Sequence, residues 1–338
     1  MLLFHFAVRA GIMFVLLTIG LTGAIVALVK TFDSLADPSR SAPPPLVLAP
    51  HCFMNPKLVE ERTSLQSAQG AYNAIQAECS AMNATMIAAC PIPNVVHLVW
   101  LPGGSLSFRH YLSLKSIHDR LRPDAIYMHG YDFPTADPIF QKFVSEFHVT
   151  PVLARNVTHV HERPVTVVEH KSDVIRLEAL TRFGGMYFDL DVFVLKPLTV
   201  FMREETVMPR ENHDGLNNGL ILAKRCSRFL RRWYEEYSTF DDNNWALHSV
   251  RTPKRLFDED ATGITVNHEE LKSNWPHTAN MFFSDNASPS YWRPVLAIHS
   301  LVRAQPQFAN LNESQVVALD NNYGRIARRI LVGTQGFM

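Results

Sequence analysis

Asp189 and Asp191 stand one residue apart at the end of the apolar run Met186-Tyr187-Phe188. On a strand, residues i and i+2 point to the same side, so the two carboxylates are expected to aim at one point. Anions that close repel unless a cation lies between them, and hard oxygen ligands suit Mn²⁺ or Mg²⁺. A metal held this way stabilises negative charge gathering on a departing diphosphate, with no proton transferred. The plainer alternative is a solvated strand end carrying two surface aspartates, and an isolated Asp-x-Asp triplet does not choose between them.

The surrounding elements add weight. Upstream, Ser172 is a good helix N-cap and Asp173 falls in the first turn, where a negative charge complements the helix dipole. Val174, Leu177 and Leu180 form a buried stripe, Asp173 and Arg176 share another face, and Gly184 is the expected C-terminal stop. Earlier, residues 95–100, 125–128 and 149–153 read as short buried strands, alternating with helical patterns over 107–121 and 138–147. That alternation predicts a mostly parallel sheet covered by helices. Further strands are expected at 206–208, 219–223 and 295–299, a turn at Asn217-Asn218-Gly219, and a helix over 227–237. Residues 243–250 carry no decisive pattern.

Ser172-Asp173, then Arg176, then Gly184-Gly185, then the aromatic-Asp-x-Asp of Phe188 to Asp191 together resemble the DXD-containing sugar-binding segment of glycosyltransferase family 32. That family includes α-1,4-galactosyltransferases and α-1,6-mannosyltransferases. Ile92-Pro93-Asn94-Val95-Val96-His97-Leu98-Val99-Trp100 is similar to the family's opening strand, and the likeness runs over residues 92–223. It implies a GT-A-type α/β fold, a UDP-sugar or GDP-sugar donor, Mn²⁺ (or Mg²⁺), retention of anomeric configuration and a glycan or glycolipid acceptor. Carried onto this chain, Asp189 and Asp191 would be catalytic and hold the metal. Asp173, Arg176, Gly185, Tyr187, Asn218, His97 and Trp100 would line the donor site. His299 would add a metal contact, although Ser300-Leu301 follows it where the family pattern has an aromatic. Among the tryptophans, Trp233, Trp245, Trp275 and Trp292 are candidates for an acceptor-stacking platform, with core packing the default for each.

Charge and composition narrow the partners. The chain of 338 residues has 32 basic and 32 acidic side chains, so no basic excess points to nucleic acid. Residues 10–29 carry no charge and are long enough to cross a bilayer as a retained signal anchor, the competing reading being a cleaved signal peptide, whose apolar core is ordinarily shorter; a proline-rich stretch follows. The sequence thus divides into a cytosolic tail (1–9), a transmembrane helix (10–29), a stem (30–91) and a lumenal catalytic domain (92–338). A single-pass type II protein of the Golgi membrane is expected. Sequons at Asn83, Asn156, Asn286 and Asn312 are compatible with a lumenal body. The four cysteines, Cys52, Cys79, Cys90 and Cys226, allow three pairings, and Cys79 and Cys90 are near enough in sequence to close a small loop.

Two other classes compete. The apolar strand before Asp189 also fits a haloacid-dehalogenase-type phosphatase, but there the motif opens the domain, whereas here several elements precede it and Asp241-Asp242 follows a helix. A non-catalytic lumenal protein keeping a degenerate sugar site is the second, and two intact carboxylates speak against it.

Overall fold

A computed structural model describes residues 8–9, 12–13, 52, 67–102, 104–285 and 288–333. The chain divides into two compact units, Met1–Val47 and Leu48–Met338. In the first, Val8–Arg9 pairs antiparallel with Ile12–Met13. Most of the expected membrane span, residues 10–29, lies outside the described residues, as does the proline-rich stretch. Among the described residues no helix is long and apolar enough to cross a membrane.

The second unit is built on an eight-stranded sheet. Its parallel half is β1 (Val95–Val99), β2 (Ala125–Gly130) and β3 (Val149–Leu153), with α3 (Phe108–Leu121) and α4 (Pro138–Phe147) as crossovers, after α1 (Ala68–Ser80) and α2 (Ala84–Ala89). Then α5 (Val168–Phe183) leads into β4 (Gly185–Phe188), which joins β1 in parallel. Beyond the short β5 (Val192–Val194), the strands β6 (Thr206–Asn212), β7 (Gly215–Leu216) and β8 (Leu220–Ala223) extend the sheet antiparallel. The helices α6 (Arg228–Glu236) and α7 (Thr252–Glu259) follow, and β9 (Thr265–Asn267) adds to β6. The spatial order is β7-β6-β8-β4-β1-β2-β3.

Strand side chains alternate between two helical layers. Val96 and Leu98 of β1 and Ile126 and Met128 of β2 meet Leu114 and Ile117 of α3 and Phe140 and Phe143 of α4. On the opposite side, Val174, Leu177 and Leu180 of α5 pack with Ile75 of α1 and Phe229 and Trp233 of α6.

The folded body begins before Ile92. Helix α1, which the sequence places in a stem, lies in the core through Ile75 and is tied to α5 by Arg182 Nη2 to Glu78 Oε1 at 2.9 Å. Cys79 at the end of α1 bonds to Cys226, and Cys52 bonds to Cys90, so all four cysteines are paired. The small Cys79–Cys90 loop does not form, because α1 docks on α5, where the Cys226 amide meets the Thr181 carbonyl at 2.8 Å.

The C-terminal third makes a smaller three-stranded sheet, in which β10 (Leu271–Lys272) and β11 (Ala297–His299) join β5. A third cluster pins it: Phe193 and Ile298 pack with Phe282 of α8 (His277–Phe283) and with Tyr323, Ile326 and Ile330 of α9 (Asn322–Val332).

Candidate functional site

Asp189 and Asp191 do not sit on a strand. β4 ends at Phe188, the Asp189 amide donates to the Gly219 carbonyl at 2.7 Å, and the Val192 amide returns to the Asp189 carbonyl at 3.0 Å. The pair therefore occupies a tight turn between β4 and β5. Their convergence comes from tertiary pairing: β11 runs antiparallel to β5 with His299 opposite Val192, bringing the imidazole to the turn. His299 Nε2 is 2.9 Å from Asp191 Oδ1 and 3.7 Å from Asp189 Oδ2. One ligand atom from each of Asp189, Asp191 and His299 falls within 4.8 Å of the others, a spacing that suits a single divalent cation.

The ring is set for such a role from behind. His299 Nδ1 lies 2.8 Å from Asn217 Oδ1, a carbonyl that can only accept, so Nδ1 carries hydrogen and Nε2 faces the carboxylates. Asn217 is fixed in turn by the Gly219 amide (2.9 Å) and by donating to Glu211 Oε2 (2.9 Å). Burial alone would lower the His299 pKa, but the Asp191 carboxylate, with Asp189 and Glu211, raises it to about 9. Burial likewise works against ionised Asp191; His299, Arg109 and the Val302 amide outweigh it and hold the carboxyl well below the usual range. The outer oxygen, Asp191 Oδ2, accepts from that amide at 3.2 Å.

Helix α5 supplies the second group. Its N-cap is Val167, five residues before the Ser172 N-cap read from sequence, and it has no side-chain cap bond. It is buried nearly all round, so His170, Asp173 and Arg176 are buried polar groups lining a cavity rather than a solvated face. Arg176 Nη2 reaches Asp173 Oδ1 (3.2 Å) and Asp189 Oδ1 (3.5 Å), and Nη1 donates to the Asn218 carbonyl (2.8 Å). Asn218 Nδ2 donates to Asp173 Oδ1 at 2.7 Å. Burial pushes the Asp173 carboxyl up to about 6 against the pull of Arg176.

Two cavities meet at the turn and share Glu169, Asp189, Asp191 and Arg303 in their lining. One, of about 710 Å³, is lined by Asp173, Arg176, Asp189, Asp191, Asn218 and His299, together with Glu211, Trp245 and Trp275. The other, of about 510 Å³, is bounded by Val99, Trp100, Arg109, His110, Asp189 and Asp191. Of the candidate tryptophans, Trp233 and Trp292 are core residues, whereas Trp245 and Trp275 are 48% and 40% exposed.

Three residues expected at the donor lie elsewhere. His97 is fully buried, its ring nitrogens 2.9 Å from His129 Nε2 and 3.0 Å from the Gly184 carbonyl, so it offers no surface to a ligand. The reason is parity along β1: with Val96 and Leu98 on the α3 side, position 97 faces the α5 layer beneath the sheet. Gly185 is buried at φ +110°, and a Cβ there would come 2.6 Å from the Val95 carbonyl. Its lack of a side chain thus serves strand packing rather than donor approach. Tyr187, also buried, turns its hydroxyl to Asp189 Oδ1 at 2.6 Å under the Arg176 guanidinium, 4.4 Å from the ring centre. It holds Asp189 in place rather than touching a sugar. Trp100 does line a cavity.

Glu211 and Arg109 carry no sequence signal of their own, whereas Asn217 belongs to the Asn217-Asn218-Gly219 turn marked in the sequence. Asp242, the weak second carboxylate of the phosphatase reading, is taken up by the Thr166 amide (2.8 Å) and His170 Nδ1 (2.8 Å).

Residues 134–212 match the family model described as a glycosyltransferase sugar-binding region containing a DXD motif. The matched segment contains Asp173, Arg176, Asp189 and Asp191 and is a glycosyltransferase region, as the expected enzyme class requires. Glucan organizing enzyme 1 of Cryptococcus neoformans var. grubii is 32% identical over 203 residues, 55% of this chain and 54% of that protein. An uncharacterized Arabidopsis thaliana protein is 27% identical over 213 residues, 57% of this chain and 32% of its own length. The chain therefore aligns with about half or less of these relatives. Among solved structures, PaToxG glycosyltransferase has a TM-score of 0.40 at 12% identity, covering 77% of this chain and 97% of that one. The galactosyltransferase LgtC, in complex with donor and acceptor sugar analogs, has a TM-score of 0.37 at 12% identity, over 69% and 95%.

Proposed function

We propose that the protein is a metal-dependent, retaining glycosyltransferase that moves a hexose, galactose or mannose, from a nucleotide sugar to a glycan or glycolipid. The observation that carries this reading is the meeting of Asp189, Asp191 and His299 at one point, the two aspartates lying inside the segment that matches a DXD sugar-binding region.

The donor set, two carboxylates and one imidazole, suits Mn²⁺ or Mg²⁺. Asp189, Asp191 and His299 would hold the ion, which when bound supplies Lewis-acid stabilisation to the diphosphate leaving group. The chain's own groups do the rest. Arg176 lies against both Asp173 and Asp189 and fixes the two carboxylates at the cavity wall. Tyr187 and Asn217 hold Asp189 and His299 in orientation. Asp173 and Asn218 face the larger cavity, where sugar hydroxyls can find charged and amide partners. Trp245 and Trp275 offer exposed indole surface at the same cavity, and there we place the acceptor saccharide.

The test is a donor screen of the purified protein with UDP-galactose and GDP-mannose, with and without Mn²⁺, reading released nucleoside diphosphate. Asp189→Asn and Asp191→Ala are expected to abolish metal-dependent turnover while the thermal transition persists. Undiminished turnover in both folded variants would overturn the reading.

A further inference from the structure

We propose that Arg109 is the guanidinium that receives the diphosphate of the nucleotide donor, in the smaller cavity beside Asp191. The inference rests on the function proposed above and goes beyond it by assigning a residue outside the matched segment.

Arg109 lies in the first turn of α3, whose start is closed by its own residues: the Ser107 amide donates to His110 Nδ1 at 2.8 Å. The arginine is left out of that arrangement. Its Nε is buried and has no hydrogen-bond partner among the described residues. A buried donor without an acceptor is costly, and a guanidinium has only donors to offer. Burial lowers its pKa and the charge of Asp191 only opposes this at a distance.

The other arginines on these cavity walls are engaged. Arg176 is shared between Asp173, Asp189 and the Asn218 carbonyl; Arg303 pairs with Glu169 at 3.3 Å and covers Trp245 at 4.3 Å. Arg109 lines the same cavity as Asp189 and Asp191, with its Nε left without an acceptor. What fits is an anion that reaches from a cation on the two aspartates to a guanidinium, and the linked phosphates of a nucleoside diphosphate do that with bidentate geometry available.

Two further features favour a nucleotide over a simple anion. The cavity lies beyond the C-terminal end of β1, bounded by Val99 and Trp100, where ligands of open α/β sheets bind. Trp100, half-buried and edge-on to His110 at 5.5 Å, provides an aromatic surface for a base in that cavity. The larger cavity, with its sugar-directed carboxylate and amide, is left for the hexose and acceptor.

The experiment is calorimetric titration of UDP and of GDP into the full chain with saturating Mn²⁺, for wild type, Arg109→Gln and Arg109→Lys. Loss of a charge-assisted contact is expected to weaken the preferred nucleotide by about tenfold or more in Arg109→Gln. Arg109→Lys should recover part of it, and Mn²⁺ titrated alone should bind no more weakly than to wild type. Circular dichroism establishes that each variant is folded; if Arg109→Gln is not, Arg109→Lys decides, with a weakened affinity expected. Nucleotide affinity within about twofold of wild type in the folded variants would overturn the assignment of Arg109 alone. A wild type that binds neither UDP nor GDP with Mn²⁺ would overturn the glycosyltransferase reading together with it.

Discussion

His299 is where the chemistry of the site can be read from a single proton. Its folded pKa of about 9 lies above the ordinary imidazole value. The protonated ring therefore stabilises the metal-free fold fully below about pH 6.5, and that contribution fades as pH rises through the folded value. A metal ion needs the unprotonated Nε2, so binding must expel the proton. Mn²⁺ binding at about pH 7.5 is expected to release about one proton, read from calorimetric heats in buffers of different ionisation enthalpy. In parallel, the Tm of metal-free protein should fall between neutral pH and about 9, and Mn²⁺ should flatten that fall. A binding heat independent of buffer would remove His299 from the ligand set. The residue types at 189, 191 and 299 were legible in the sequence; Nε2 facing Asp191 was not, because Asn217 and its contacts to Glu211 and Gly219 decide the tautomer.

At the scale of elements, the turn holding Asp189 and Asp191 depends on a neighbour with no side chain. Gly219 takes the Asp189 amide on its carbonyl, and a Cβ there would come 2.4 Å from His299 Cε1 and 2.7 Å from Asp189 Oδ2. Gly219→Ala is expected to push these ligands apart, lowering Mn²⁺ affinity by about 10–100-fold. The fold should survive an overpacking cost of about 1–3 kcal/mol. Metal titration and a thermal melt of the variant check both; wild-type metal affinity would refute the close-approach argument. Sequence reading located this element as a turn, and it located α5, but it started that helix at Ser172. Local capping chemistry favoured the serine, whereas the helix continues back to Val168, and the Ser172 hydroxyl instead meets Arg176 Nη2 at 3.0 Å. For His97, Gly185 and Tyr187, motif position suggested donor contact, but β1 and β4 lie in the middle of the sheet and all three residues are buried.

Across the whole molecule, two cavities meet at the aspartate turn, one bearing Arg109 and Trp100 and the other Trp245 and Trp275. On the proposed function, the nucleotide would take the first cavity and the acceptor the second. Replacing the larger indoles tests it: Trp245→Ala and Trp275→Ala together are expected to raise the KM for the acceptor by about tenfold. Donor hydrolysis without acceptor should be unchanged. An unaltered acceptor KM, measured on the folded double variant, would move the acceptor elsewhere.

From its residues alone, the chain determined the alternation of strands and helices, the aspartate pair and the polar face of α5 that goes with it. These are local matters, set by periodicity, capping and motif spacing. Tertiary structure decided the rest. It joined Cys79 to Cys226 and Cys52 to Cys90, drew α1 into the core, and sorted exposed from buried tryptophans. Above all, it carried His299 and Arg109 to the same turn from residues more than a hundred apart in one case and about eighty in the other. Pairing across β5 and β11, and the crossover packing of α3, make those encounters, and no local pattern encodes which distant strand or helix will arrive.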